Sequence, residues 1–280
     1  MKTRAITGFF FTIVMLGSFL LGYQVFAGFY LVLSCFCLYE FYSLIKKDTA
    51  TPNVPVGILS GALLFSGAAL LNYSDMFALP ALNGHQLAYL LLFLFVLSVS
   101  LVFVRELFKI SVAPFANIAY TLVGMAFVII PFSFFHALAY INNQGFNFHI
   151  PMAFLLMLWA NDTGAYLVGL TIGRTKLFER HSPKKTWEGF IGGVVISAGV
   201  GYIISLYFPE LDWKQWMSVG ILISCFGTLG DLVESMFKRS INVKDSGSIL
   251  PGHGGLLDRF DGLLLAAPIV YTYLYFVVNA

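Results

Sequence analysis

The sequence predicts an all-α polytopic membrane protein of about nine transmembrane helices, with the N-terminus cytoplasmic and the C-terminus outside. Three observations predict it. Of 280 residues, 59% are hydrophobic and 11% are charged, about half the charged share of a soluble domain. The apolar residues gather into runs near the ~20 residues that cross a bilayer. The 16 Lys and Arg residues gather between alternate runs, which is the pattern of cytoplasmic loops.

The runs lie at 5–21, 24–45, 54–72, 86–104, 113–140, 150–172, 187–208, 215–237 and 262–278. The first has the length of a signal peptide but no small-x-small cleavage site before the next polar break. A second run follows at once, so the first is read as a retained helix. The fifth contains Pro131, which predicts a kink or a shorter span followed by an interfacial turn. The seventh carries Gly189, Gly192, Gly193, Gly199 and Gly201, which let neighbouring helices approach closely. Cys35, Cys37 and Cys225 sit inside apolar runs with no Cys-x-x-Cys pair and read as packing residues. With the N-terminus inside, Lys214 alone among the 16 cations falls outside. An even number of spans would destroy that sorting.

Up to about residue 148 the acidic residues Glu40, Asp48, Asp75 and Glu106 lie near span ends or loops. Beyond Ile150 carboxylates enter the apolar runs themselves. The chain therefore divides into a scaffold, 1–148, of about five helices, and a working half, 149–280, of about four, with its site on the cytoplasmic face. The net charge of +2 identifies no partner. The membrane is the environment the sequence implies, and nothing in it points to nucleic acid.

Chemistry concentrates in 235–261, between the last two spans. There Lys238, Arg239, Lys244, Asp245, His253, Asp258, Arg259 and Asp261 crowd among glycines. Cations of this kind hold phosphate, carboxylates hold a divalent metal, and glycines let backbone approach a ligand. Upstream, Asp231 and Glu234 share a helical face, and Asp258 and Asp261 repeat that spacing at the start of the last span. Up to four carboxylates facing one cavity would repel one another without a cation. Oxygen-only ligands near a polyphosphate favour Mg²⁺.

Asp162 lies inside the sixth span, ~18 Å along an inward-running helix at 1.5 Å per residue, where an ionisable group is a functional candidate. The loop that follows ends in Ser182-Pro183-Lys184-Lys185-Thr186-Trp187-Glu188-Gly189. Ser182 as N-cap and Pro183 as first helical residue predict a helix start there, with Lys184 and Lys185 completing an anion cradle. Glu188 either assists a metal or pairs with Lys184 or Lys185. An ordinary anchor to anionic headgroups fits the basic loop equally well.

The segment 235–261 resembles the signature of the phosphatidate cytidylyltransferases (CDP-diacylglycerol synthases). Ser235, Lys238, Arg239, Lys244, Asp245, His253, Gly254, Gly255, Asp258, Arg259 and Asp261 all fall in its register. The pattern covers about a tenth of the chain, with far more fixed positions than a lone glycine motif. The Ser182–Gly189 segment is similar to the same family, which turns its lysines towards substrate phosphate.

The resemblance implies CTP plus phosphatidate giving CDP-diacylglycerol and pyrophosphate, at the cytoplasmic face of a bacterial-type inner membrane. It implies a metal on Asp231 and Asp258, with Asp261 and Asp162 as supporting or alternate ligands. The metal would be Mg²⁺, with room for a second cation such as K⁺, and a homodimer is compatible. Lys184, Lys185, Lys238, Arg239, Lys244 and Arg259 would hold phosphates. The catalytic set is Asp231, Asp258, Lys238 and His253, the last in a positioning role. The rivals are a CTP-dependent lipid or polyprenol kinase and a cation or phosphate transporter. Against the transporter, the charges crowd at one face and no repeated halves are visible.

Overall fold

The computed structural model describes residues 2–45, 50–72, 78–79, 82–142, 145–247, 249 and 254–278, with side chains for all of these but 2–7, 78–79 and 82. Eight helices among them are long and apolar enough to cross a bilayer, as expected of an all-α polytopic membrane protein. The first helix, α1 (Lys2–Leu20), adds a shorter apolar stretch, Gly8–Leu20.

The chain forms two compact units, Met1–Tyr140 with Asp245–Leu257, and Ile141–Lys244 with Asp258–Ala280. The first unit holds α1, α2 (Tyr23–Ile45), α3 (Val54–Asn72), a short hairpin of β1 (Ala78–Leu79) and β2 (Leu82–Asn83), α4 (Gly84–Phe108), α5 (Pro114–Gly124) and α6 (Ile130–Ala137). Its core is aromatic. Tyr30 packs at a tilt against both Phe26 and Phe135, with ring centroids 4.8 and 5.0 Å away, and all three rings are fully buried.

Between α5 and α6 the helix widens into a π-turn, Met125–Ile129, immediately before Pro131. Proline cannot donate to the helical ladder, and a local change of hydrogen-bond register absorbs the break. Pro114–Tyr140 therefore stays one helical segment long enough to span. It packs on α2 through Tyr42, whose hydroxyl donates to the Thr121 carbonyl at 2.6 Å. Gly57 and Gly124 leave room for that side chain, since a Cβ at Gly57 would lie 2.5 Å from its hydroxyl and one at Gly124 2.5 Å from its ring.

The second unit holds α7 (His149–Ile172), an antiparallel hairpin of β3 (Lys176–Phe178) and β4 (Ser182–Thr186), α8 (Trp187–Ser205), α9 (Trp213–Ser240), and α10 (Leu257–Val278) from Asp258 on. Glycines bring its helices together. A Cβ at Gly220 of α9 would lie 2.7 Å from the Ser197 carbonyl of α8, and one at Gly201 would lie 2.5 Å from the Trp216 carbonyl. The Ser197 hydroxyl donates to Met157 of α7 at 3.2 Å and Gly220 of α9 at 3.1 Å, tying three helices at one point.

The start of α7 is tied to the α8–α9 loop. Glu210 accepts from Asn147 at 2.9 Å and pairs with His149, whose ring stacks on Phe208 at 4.1 Å. Burial opposes ionisation of Glu210, but the hydrogen bonds from Asn147 and His149 outweigh it and hold its carboxyl below the usual range. At its other end α9 stops in a Schellman motif. The amides of Asn242 and Val243 donate to Arg239 and Lys238, and Asn242 takes the left-handed conformation at φ 55°. The chain thus turns away directly after its Lys-Arg pair.

Candidate active site

In the second unit a cavity of about 630 Å³ opens between α7, α8, α9 and the β3–β4 hairpin. Its charged lining is Asp162, Lys176, Lys184, Lys185 and Asp231, with Asn161 beside them, and Tyr166, Leu170 and Phe190 are among its larger rings and apolar side chains. A lining that combines charged and apolar side chains suits a ligand with a phosphate head and a greasy body.

The hairpin is what brings the lysines here. The expected helix start at Pro183 is not what forms. Residues 182–186 pair with 176–178 as a strand, and α8 begins at Trp187 behind the N-cap Thr186, which accepts from the Gly189 amide at 3.2 Å. Ser182 and Thr186 are both competent caps, and pairing across the hairpin decides between them. The Trp187 amide donates to the Thr175 carbonyl at 2.9 Å. Glu188 closes the hairpin base by accepting from the amides of Arg174 and Thr175 and from the Thr175 hydroxyl. Its carboxylate is thereby used on backbone rather than on Lys184 or Lys185.

Lys185 then reaches across to Asp231 of α9, Nζ to Oδ2 2.5 Å. Ser235, one turn on, donates to Asp231 Oδ1 at 3.1 Å and steadies it. Asp162 accepts from Asn161 Nδ2 at 3.2 Å. Gly193 makes room for Asn161, because a Cβ there would meet its Oδ1 at 2.6 Å. Asp261 on α10 accepts from the Gly262 amide at 2.7 Å. The charges of Asp231, Asp162 and Lys185 all act on it. Closeness of α9 and α10 depends on Gly230, where a Cβ would lie 2.3 Å from the Asp261 carbonyl. Asp162, Asp231 and Asp261 thus share one region with Lys185, and Arg259 also acts on Asp162.

Asp258 belongs to a second grouping. Lys238 donates to Asp258 Oδ1 at 2.7 Å and pairs with Glu234, which is fully buried. Lys238 is thus held between two carboxylates at the α9–α10 contact. Of the other expected phosphate ligands, Lys184, Lys244 and Arg259 are exposed, as is Arg239, which donates to the Val243 carbonyl at 3.3 Å. Lys176, not singled out by sequence, lines the cavity while donating to the Pro183 carbonyl at 2.7 Å. His253 lies outside the described residues.

Among the described residues, no three His, Cys, Asp or Glu side chains form a ready-made metal cage. Mg²⁺ commonly takes only one or two carboxylates and completes its shell with water and substrate phosphate. Asp162, Asp231 and Asp261, which offer oxygen as the only donor type, suit that kind of shared site.

Comparison with known proteins bears on the whole chain. The model of the cytidylyltransferase family matches residues 2–277. A phosphatidate cytidylyltransferase of Staphylococcus haemolyticus (strain JCSC1435) is 35% identical over 277 residues, 96% of this chain and 97% of that protein. Phosphatidate cytidylyltransferases of Staphylococcus aureus (strain COL) and Staphylococcus epidermidis (strain ATCC 12228) are each 44% identical over 158 residues, 56% of this chain and 58% of theirs.

Proposed function

Because the chain belongs to the cytidylyltransferase family, we propose that it joins CTP to phosphatidate, giving CDP-diacylglycerol and pyrophosphate. The observation that carries this reading is similarity along 96% of the chain to a relative bearing the name phosphatidate cytidylyltransferase. The cavity supports it, with lysines, carboxylates and apolar side chains all in its lining. The protein is an integral membrane protein, and we place it in a bacterial inner membrane with this cavity open to the cytoplasm.

The reaction begins with two anions that must meet. Lys184 and Lys185 on the hairpin, with Arg239, Lys244 and Arg259, offset the charge of the two substrates. A phosphate oxygen of phosphatidate attacks the α-phosphorus of CTP, and the bond to the β-phosphate breaks. That oxygen is already ionised, so no strong general base is needed, and His253 serves to position a phosphate. Lys185 exchanges its hold on Asp231 for substrate phosphate as CTP enters. Asp231, with Asp162 and Asp261 around it and Asp258 as the family resemblance has it, would hold Mg²⁺. Held there, it would supply Lewis-acid polarisation of the α-phosphate and charge to offset the departing pyrophosphate.

Purified protein in mixed micelles with CTP, phosphatidate and Mg²⁺ should form CDP-diacylglycerol and pyrophosphate in equal amounts. Asp231→Asn should lower the rate by ~10–100-fold or more, while the variant still inserts and purifies. Absence of product from the wild-type protein would overturn the reading, and full Mg²⁺-dependent activity in Asp231→Asn would remove that residue from the site.

A further inference from the structure

Glu40 lies near the C-terminal end of α2, in the N-terminal part of the chain, with only 4% of its surface exposed. A carboxylate so buried needs donors. Its Oε2 accepts from the Ser246 hydroxyl at 3.2 Å and from the Leu257 amide at 2.8 Å. Those donors stand at the two ends of the 246–257 segment, more than 200 positions further along the chain, within the same compact unit.

The glycines of the segment are matched to this carboxylate. A Cβ at Gly247 would lie 2.5 Å from Glu40 Oε1. One at Gly255 would lie 2.5 Å from Oε2 and 2.0 Å from the Ser246 hydroxyl. Gly254 has φ 82°, a conformation that side-chain-bearing residues rarely adopt. Two glycines without room for a methyl, a third in the left-handed region and two donors on one oxygen make a seat built for this side chain. Meanwhile Oε1 has no hydrogen-bond partner among the described residues. A carboxylate kept at that cost, where an apolar side chain would bury freely, argues for a task beyond packing.

We propose that Glu40 is a positioning residue for the reaction, the clamp that pins both ends of the 246–257 segment. Leu257 is the first residue of α10, with Asp258 in that helix's first turn and Asp261 three residues further on. Holding the Leu257 amide therefore sets where α10 begins and how its aspartates are presented. The assignment to catalysis rests on the nucleotidyl-transfer reading above, whereas the clamp itself is tested without it.

The experiment uses full-length protein in nanodiscs. Hydrogen exchange is followed in the peptide covering 246–257, and kcat and KM for CTP are measured beside it. Glu40→Ala should exchange at least ~10-fold faster in that peptide. Its kcat should fall at least ~10-fold with KM moved far less, the pattern of a misplaced catalytic segment. Glu40→Gln, which keeps an acceptor oxygen, should stay within ~3-fold of wild type on both readouts. Ser246→Ala, which removes one donor, should lie between, and it decides the matter if Glu40→Ala is not recovered folded. Unchanged exchange in Glu40→Ala, or in Ser246→Ala when that variant decides, would overturn the clamp. A Gln variant as impaired as Ala would overturn it too, by making charge the requirement. If exchange rises as expected but the wild-type protein makes no CDP-diacylglycerol, the clamp stands and the reaction assignment fails.

Discussion

Lys238 shows how a single side chain's surroundings restrict its work. The signature register offers it as a phosphate ligand, yet it sits 12% exposed between Glu234 and Asp258. Removing it leaves a fully buried carboxylate without its cation, a loss of about 3–5 kcal/mol for a broken buried pair. Lys238→Met should therefore lower the thermal midpoint in detergent by several degrees, and adding Glu234→Gln should recover part of it. If Lys238→Met instead lost activity at an unchanged midpoint, the lysine would be a substrate ligand and not the tie between α9 and α10. Composition could not distinguish these roles, because the pairing depends on α10 lying against α9. The same holds for Lys185 and Asp231, 46 positions apart, which meet only because 176–186 folds as a hairpin. Glu40 was invisible for a different reason. One acid near a helix end reads as an ordinary interfacial residue until its two donors are seen.

At the scale of elements, the spans were legible. Apolar runs long enough to cross a bilayer leave little choice but helix, and the expected 54–72 and 150–172 match α3 and α7 closely. The polar joints were less so. Thr186 displaced Ser182 as the cap of α8 because strand pairing, which no local propensity encodes, consumed 182–186. The glycines of α8 and α9 were expected to permit close packing, and the structure separates those that do from those that do not. Gly220 faces the Ser197 carbonyl, whereas a Cβ at Gly199 would meet nothing within 4 Å. Gly220→Leu should force α8 and α9 apart, lowering the thermal midpoint sharply and activity with it. Gly199→Ala should leave the midpoint unchanged or slightly raised, since alanine is the better helix former by ~1 kcal/mol. Equal effects from the two would contradict the packing described for this pair of helices.

At the scale of the whole molecule, the account requires one orientation in the bilayer and one reaction at its inner face. The proposed orientation rests on the sorting of cations, in which Lys214 stands apart from the rest. Single cysteines at Glu179 and Lys214, both exposed and separated by α8, should react with an impermeant maleimide from opposite sides of sealed vesicles once Cys35, Cys37 and Cys225 are replaced. Position 179 should react from the cytoplasmic side. Reaction of both from one side would break the alternation on which the orientation depends. The central claim is narrower: the α-phosphate of CTP, and not the γ-phosphate, goes to phosphatidate. Both transfers need a charge-neutralised triphosphate and an anionic acceptor, so the cavity's lysines and carboxylates alone serve either. The measurement that separates them gives purified protein CTP labelled at the α- or the γ-phosphate, together with phosphatidate, Mg²⁺ and K⁺. The account predicts α-label in chloroform-soluble lipid and γ-label in water-soluble pyrophosphate. Entry of γ-label into the lipid, with α-label left behind in CDP, would contradict it.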